Sequence, residues 1–500
     1  MEKKGSQKLL CWTKNDIVSV TITYIVNVIL FTGLFVALLY MRTYGTNGFS
    51  EFFSKGYKIF NFCIILFFII AALFLYFFFE DRDFLKDSAN SEMLFLILQT
   101  GLLICFLTET FINIYVRPLA FVAATVLFLT NSRKAIFLNF IFAILLFLFD
   151  CFSGTMESFN YQSEVFFLVM TVTSGILAIY ITKEVYSRFR LLVLGFVISI
   201  PCLICVALPN VGVGGSHILA ELASALCSGL LVAICTIILL PVFELLFKKV
   251  TCFKLAELTD HKAKFIRKMI QNAPGTFNHA IIVSNLAEAC ATAIGEDALL
   301  ARTCAYYHDI GKLRRPEFFK ENQADGMNPH DDLTPELSAN IIKSHTIDGY
   351  HYMMKNRLPK EVADVVLQHH GTLPILYFYD KAKKFTDGEV SYTKYCYAGP
   401  KPQTKIAAII MIADGCEAIT RSLKDRSREN VSVAVKKIVN DRMQLGQFDE
   451  CEITIKEINI IIHTVINSLS GIYHSRIEYP KVRLDGIEVK PPLSDNEAMK

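Results

Sequence analysis

The chain has 500 residues, enough for about two to four domains. Its 50 Lys and Arg against 47 Asp and Glu leave a net charge of +3, a balance that singles out no nucleic-acid polymer as a partner. The apolar residues are distributed unevenly: positions 17 to about 247 are dominated by Phe, Leu and Ile, and the remainder reads as an ordinary mixed-charge domain.

In chain order, residues 1–16 form a short basic N-terminus, and the apolar region follows. It divides into about eight stretches near 17–41, 57–80, 92–111, 114–130, 135–150, 164–182, 190–209 and 218–247, each near the ~20 residues that a helix needs to cross a bilayer. Glu109, Asn113 and Arg117 blur the boundary between the third and fourth. With Lys3, Lys4, Lys8 and Lys14 inside, the loops carrying Arg82/Lys86, Arg133/Lys134 and Lys183/Arg188/Arg190 fall on the same side, and Lys248, Lys249 and Lys254 return the chain to it. Arg42, Lys55, Lys58 and Arg117 depart from that rule in a minor way. An even number of spans therefore predicts a multi-pass membrane protein with both termini in the cytoplasm. The first stretch runs ~25 residues without a small-x-small cleavage site, so it reads as an anchor and not as a removed signal.

The fourteen cysteines show no disulfide framework. Cys202 and Cys205 lie in an apolar span with no second pair, and Cys252, Cys290, Cys304, Cys396, Cys416 and Cys451 are scattered singly, so they read as reduced. Residues 248–272 read as a linker helix and 273–480 as a soluble, all-α domain. Helices are predicted near 253–272, 277–294, 297–310, 334–356, 359–370, 404–423, 427–442 and 454–472. Pro274-Gly275 separates the first two, and 373–403, with Gly388, Gly399, Pro400 and Pro402, reads as a long loop. Residues 481–500 read as an extended or disordered tail.

Within this domain, His279 shares a helical face with Ile282, Val283, Leu286, Ala287 and Cys290. His308 follows Leu300, Cys304 and Ala305, His345 follows Ile341 and Ile342, and His369 follows Val362, Val365 and Val366. Asp414 shares a face with Ala407, Ile410 and Ala418. Any one of these alone is an ordinary hydrogen-bonded core residue. Five helices that each aim an imidazole or carboxylate inward need a common counter-charge, and imidazole with carboxylate suits Zn, Fe, Mn or Ni.

The phrases PGTFNHAIIVSNLAEA, YYHDIGKLRRPEFFKENQ, NPHDDLTPELSA, HHGT, GPKPQTKIAAIIMIAD and GIYHSRIEYP, behind a polytopic region, resemble the seven-transmembrane HD-domain cyclic di-AMP phosphodiesterases of the HD metal phosphohydrolase superfamily. In the soluble part the resemblance covers nearly all of 250–480. It implies two divalent transition metals, Mn or Fe foremost. One would be held by His279, His308, Asp309 and Asp414, the other by His345, His369 and His370, with Asp309 bridging and taking part in catalysis. It further implies cleavage of cyclic di-AMP to pApA. Lys312 follows as a catalytic and phosphate-binding residue and Arg314 and Arg315 as phosphate contacts, their plain alternative being a solvated basic face. His330 is a candidate to support the ligands from behind, whereas His351 and His474 read as structural or surface groups. Partners would be the cyclic dinucleotide, the lipid bilayer and, as a candidate assembly, a second copy. Members usually carry a large extracellular domain after the first span, where this chain has only 42–56.

Three alternatives stand beside this expectation. One is an HD hydrolase of another cyclic dinucleotide or nucleotide, although His369-His370 runs into GTLPILYFYD without the Gly-Tyr-Pro signature of the cyclic di-GMP enzymes. Another is a non-catalytic nucleotide-binding receptor, which every filled ligand position opposes. The third is a transporter using Glu109, Glu221 and Glu244, whose places near span ends favour interfacial or packing roles instead.

Overall fold

A computed structural model describes residues 12–43, 56–153, 161–208, 216–323, 328–385 and 389–472. The expected tail at 481–500, the 42–56 link beyond Thr43, and His474 lie outside the described residues. Among those described, the chain forms α-helices, a few 3-10 turns and one isolated bridge between Pro374 and Cys396, with no β-strand. The expected all-α class holds. Two compact units result, Met1–Phe277 with Ile310–Pro316 and Ile347–Asp364, and Asn278–Asp309 with Glu317–Thr346 and Val365–Lys500.

The first unit holds α1 (Lys14–Thr43), α2 (Gly56–Glu80), α3 (Arg82–Lys86), α4 (Ser88–Phe111), α5 (Phe121–Leu129), α6 (Ser132–Ser153), α7 (Tyr161–Thr182), α8 (Arg188–Ile198), α9 (Ile200–Ala207) and α10 (Ser216–Phe247). Among the described residues, six stretches are long and apolar enough to cross a membrane: Lys14–Met41, Phe60–Glu80, Ser88–Phe111, Ser132–Cys151, Arg188–Ala207 and Ile218–Phe247. The expected fourth and sixth spans correspond to shorter apolar helices, Ile114–Leu129 and Phe166–Thr182. The first of these is a 3-10 turn at Ile114–Val116 followed by the short, wholly buried α5. Asp81 and Asp87 cap α3 and α4 by accepting from the amides of Phe84 and Ala89, which ends one helix and restarts the next. Ion pairs Lys86–Asp16 at 3.5 Å and Lys134–Asp81 at 2.7 Å tie the start of α1, the 81–87 turn and the start of α6 to one end of the unit.

Arg117, read from sequence as a minor exception to the charge rule, and Glu109, read as interfacial or packing, share one buried cluster. Arg117 is buried, and its guanidinium donates to both oxygens of Asp150, at 2.6 and 2.7 Å, and to Glu109. Its own carbonyl accepts from the Ser228 hydroxyl of α10, while Asn113 Nδ2 donates to Ser224 Oγ at 2.6 Å. The break between α4 and α5 is thereby pinned to α10 through a backbone carbonyl and a side-chain amide. Glu244 likewise has a partner, accepting from the Thr251 hydroxyl.

Further along come α11 (Cys252–Thr259) and α12 (Lys264–Asn272), then α13 (Pro274–Ile294), α14 (Ala298–Tyr307), α15 (Pro335–Lys355), α16 (Lys360–Gln368), α17 (Leu376–Phe385), α18 (Lys405–Ser422), α19 (Arg428–Gln444) and α20 (Ile455–Ile472). Three expectations need correction. The single linker helix is two, because Asp260 turns extended and its carboxylate and carbonyl accept from the amides of Lys262 and Ala263 at 2.7 and 2.8 Å. The helix expected from 277 opens earlier, at Pro274, where the missing N–H costs nothing, so the break that separates it from α12 falls at Ala273. The 373–403 loop contains α17, whose buried Phe378 and Ala382 pack with Ala339 and Tyr395. In the second unit α18 lies against α14, α19 and α20. Its residues Ala407–Ala413 are fully buried, so it is a central helix apolar on all sides.

Replacing Arg117 by Ala should strip the counter-charge from two buried carboxylates and cost about 3–5 kcal/mol. Thermal unfolding of the full chain in detergent should show it as a lowered midpoint; an unchanged midpoint would mean the three side chains do not hold the unit together.

Candidate metal centre

All seven expected ligands belong to the second unit. His279 lies early in α13, above the fully buried Val283, Leu286, Ala287 and Cys290. Helix α14 ends at Tyr307, not at 310 as its periodicity suggests, so that His308 is its C-cap and Asp309 follows. A 3-10 turn, Ile310–Arg314, then replaces the α-helical continuation, and Lys312 does not sit one α-helical turn after His308. His345 lies mid-way along α15. His369 and His370 come just after α16, where Gly371 takes φ +49 and a Cβ there would fall 2.3 Å from Gln447 Oε1. That oxygen accepts from the Thr372 amide at 3.0 Å, which fixes the turn of the HHGT phrase. Asp414 is on α18.

These side chains converge. His279, His308 and Asp414 can bring ligand atoms within 4.8 Å of one another, as can His345, His369 and His370, and as can His308, Asp309 and His369. Asp309 faces two ways. Its Oδ2 lies 3.2 Å from His308 Nε2 and 3.8 Å from His279 Nε2, and its Oδ1 lies 3.3 Å from His345 Nε2 and 3.8 Å from His369 Nε2. Asp414 Oδ1 is 3.1 Å from His279 Nε2, and its Oδ2 is 3.8 Å from His370 Nδ1. His308, Asp309, His345 and His369 are buried, while His370 is the most accessible at 21%.

The ring tautomers follow from the second nitrogens. His308, His345 and His369 each direct Nδ1 at the carbonyl three residues earlier, at 2.7, 2.6 and 2.7 Å, so Nδ1–H donates and Nε2 keeps a lone pair facing inward. His345 Nε2 and His369 Nε2 then confront each other at 3.2 Å. Two lone pairs at that separation repel unless a cation sits between or beside them. His308 Nε2, fully buried, makes no hydrogen bond among the described residues. The donor set therefore fits divalent metal, and neutral imidazoles with carboxylates suit Mn, Fe or Zn.

A residue absent from the expected set completes it. Glu417, fully buried on α18, accepts from His279 Nδ1 at 2.6 Å and orients that ring. Its signal was available: it follows Asp414 by three on an otherwise apolar helix and so shares its face. Tyr397 stacks on His370 with centroids 4.4 Å apart, for which the sequence offered no cue. Burial opposes charging His279, but its bonds to Asp414 and Glu417 override that and raise its pKa to about 10. For Asp414, burial pulls upward, yet His279 and the neighbouring imidazoles hold it well below the usual carboxylate range. Burial and the adjacent His370, His308 and His345 push His369 well below its ordinary value.

The other expected residues are placed differently. Lys312, Arg314 and Arg315 belong to the first unit; Lys312 is partly buried, Arg314 pairs with Asp348, and Arg315 is exposed. His330 bonds the Phe318 carbonyl at 2.9 Å through Nε2, between the rings of Phe318 and Phe378. His351 is exposed, as expected. The described cysteines are free, and none joins a ligand group among the described residues.

Since His279 keeps its proton up to about pH 10 in the metal-free protein, any stability that proton lends is present below pH 6.5 and lost as pH rises through 10. A dication taking Nε2 must expel it, so metal affinity should climb with pH across that window. Calorimetric titration of manganese(II) near neutral pH, in buffers of different ionisation heat, should show proton release of about one per chain or more; no release would contradict the assignment of His279. Glu417→Gln should weaken metal binding or activity roughly 10–100-fold, with retention after dialysis, read by elemental analysis, as the check.

Comparison with known proteins agrees with the site. Residues 276–419 match the family described as "HD domain", and 57–251 match "7TM receptor with intracellular HD hydrolase". The chain is 37% identical over 444 residues to the cyclic-di-AMP phosphodiesterase PgpH of Bacillus subtilis, covering 86% of this chain and 61% of that one. It is 38% identical over 378 residues to the PgpH of Listeria monocytogenes, covering 75% and 51%. It thus spans between half and two thirds of the length of these relatives. A crystal structure of the Listeria PgpH HD domain in complex with cyclic di-AMP matches at 50% identity and a TM-score of 0.41, covering 43% of this chain and 99% of that one. The chain belongs to the family of seven-transmembrane membrane proteins that carry an HD hydrolase domain.

Proposed function

We propose that this protein is a membrane-embedded, metal-dependent phosphodiesterase that hydrolyses cyclic di-AMP to pApA on the cytoplasmic face. The observation that carries the reading is Asp309, whose two oxygens each face a separate pair of imidazoles, 3.2 and 3.8 Å away on one side, 3.3 and 3.8 Å on the other. A single carboxylate between two nests of nitrogen ligands suits a dinuclear centre. His279, His308, Asp309 and Asp414 would hold one ion, and His345, His369, His370 and Asp309 the other. Manganese or iron is our assignment. Two such ions, when bound, supply a nucleophile at neutral pH and neutralise the charge that develops on a phosphodiester.

The chain's own residues set up that chemistry. Backbone carbonyls fix the tautomers of His308, His345 and His369, so their Nε2 atoms present lone pairs without reorganisation, while Glu417 orients the His279 ring, which gives up its Nε2 proton on binding. The apolar packing of α13, α14 and α18 excludes water from the far side and strengthens each electrostatic contact. Lys312 and Arg315 are our candidates to meet substrate phosphates. Arg314 would have to leave Asp348 first, which makes it the weaker contact. The division at 17–247 into membrane region, 248–272 into linking segment and 273–480 into catalytic domain belongs to the same reading, as does the cytoplasmic placement, supported by the basic loops joined through Lys86–Asp16 and Lys134–Asp81. A second copy is a further candidate partner.

Adenine selectivity rests on the relatives' names and on the missing Gly-Tyr-Pro signature. The full chain in detergent with manganese(II) should cleave cyclic di-AMP at least about tenfold faster in kcat/KM than cyclic di-GMP, with pApA as the first product by chromatography. Faster cleavage of cyclic di-GMP would change the substrate and leave the metal centre standing.

A further inference from the structure

The second unit buries one more charge, which the metal centre does not use. Arg442, on α19, is 8% exposed. Its guanidinium lies close against Gly415, the residue after Asp414: a Cβ on Gly415 would fall 1.9 Å from Nη2 and 2.6 Å from Cζ, so the guanidinium fills the space a side chain there would take. A guanidinium carries five N–H donors. Among the described residues Arg442 makes one side-chain hydrogen bond, a long one of 3.4 Å from Nη1 to the Ile438 carbonyl, and Nε has no partner. It forms no ion pair there.

Buried arginines are ordinarily matched to a carboxylate, because an unmatched charge in a low-dielectric interior is costly. Burial also pulls this guanidinium's pKa down, with Cys416, Asp414 and Asp441 pushing back. An arginine nevertheless stays charged at neutral pH. Its field, little screened by solvent, acts on whatever anion lies in the same interior. The resident anion is Asp414, one residue along α18. The arriving anion, on the phosphodiesterase reading, is the substrate phosphate.

We propose that Arg442 is a positioning residue of the phosphodiester site: seated on Gly415 behind Asp414, its buried positive charge favours an anionic phosphate group at the metal centre. The proposal rests on the metal-phosphodiesterase reading, and the two fail separately. The test uses the full chain in detergent, loaded with manganese(II), with metal content by elemental analysis and inorganic phosphate affinity by calorimetry. R442M keeps length and removes charge; R442K keeps charge and loses the fork. We expect R442M to retain wild-type metal content and to bind phosphate about tenfold more weakly, and R442K to recover most of that loss. Wild-type phosphate affinity in R442M overturns the proposal. So does R442K as weak as R442M, or metal loss in R442M, since either would make the side chain a filler above Gly415. Should R442M not fold, R442Q carries the same comparison, and a tenfold loss in a folded R442K is by itself enough to reject the idea. A wild-type protein that holds no metal would instead remove the phosphodiesterase reading.

Discussion

Charge inside an apolar interior must be met by opposite charge, and both halves of this molecule are arranged around that requirement. In the second unit, two aspartates, a glutamate and five imidazoles meet in a region walled by fully buried Ala, Val, Leu and Ile. Proton and hydrogen-bond exchange satisfies part of the set, as at His279 between Asp414 and Glu417. It does not satisfy His345 and His369, whose inward nitrogens confront one another. Their Nδ1 protons are already committed to backbone carbonyls, so the remaining valence is left for a cation.

The membrane half meets the same requirement with side chains alone. Arg117, Asp150 and Glu109 come from three separate places in the sequence and form one buried cluster. A guanidinium suits this duty because it reaches two carboxylates at once and forks onto both oxygens of one. The cluster also explains how a short non-helical segment can lie between α4 and α5 in a region otherwise made of long apolar helices. Ser224 and Ser228 of α10 supply further partners, to the Asn113 side chain and the Arg117 carbonyl.

Rigidity at the metal centre comes from different levels of structure. The turn after His370 depends on a glycine with positive φ and on the Gln447 amide, 75 positions away. The α-helix α14 ends at Tyr307, and the adjacent His308 and Asp309 that follow offer an imidazole and a two-faced carboxylate to one point. The helical periodicity of LARTCAYY could not reveal that stop, since no proline or glycine marks it before Gly311.

Hydropathy by itself marked the apolar half, because a bilayer admits little but apolar helices, yet it read the stretch near 114–130 as one span where a 3-10 turn and the short α5 lie. Periodicity placed His279, His308, His345, His369 and Asp414 on inward faces, because a face is a local property of 3.6-residue repetition. Glu417 was equally legible by its spacing from Asp414 and was overlooked. What no local pattern contained was which side chains meet. The pairing of Arg117 with Asp150, the hold of Glu417 on His279, the stacking of Tyr397 on His370 and the seat of Arg442 on Gly415 join segments from 27 to 138 positions apart. Those contacts were decided by how the helices pack, since a distance across the interior is a property of several elements together and is written in none of them singly.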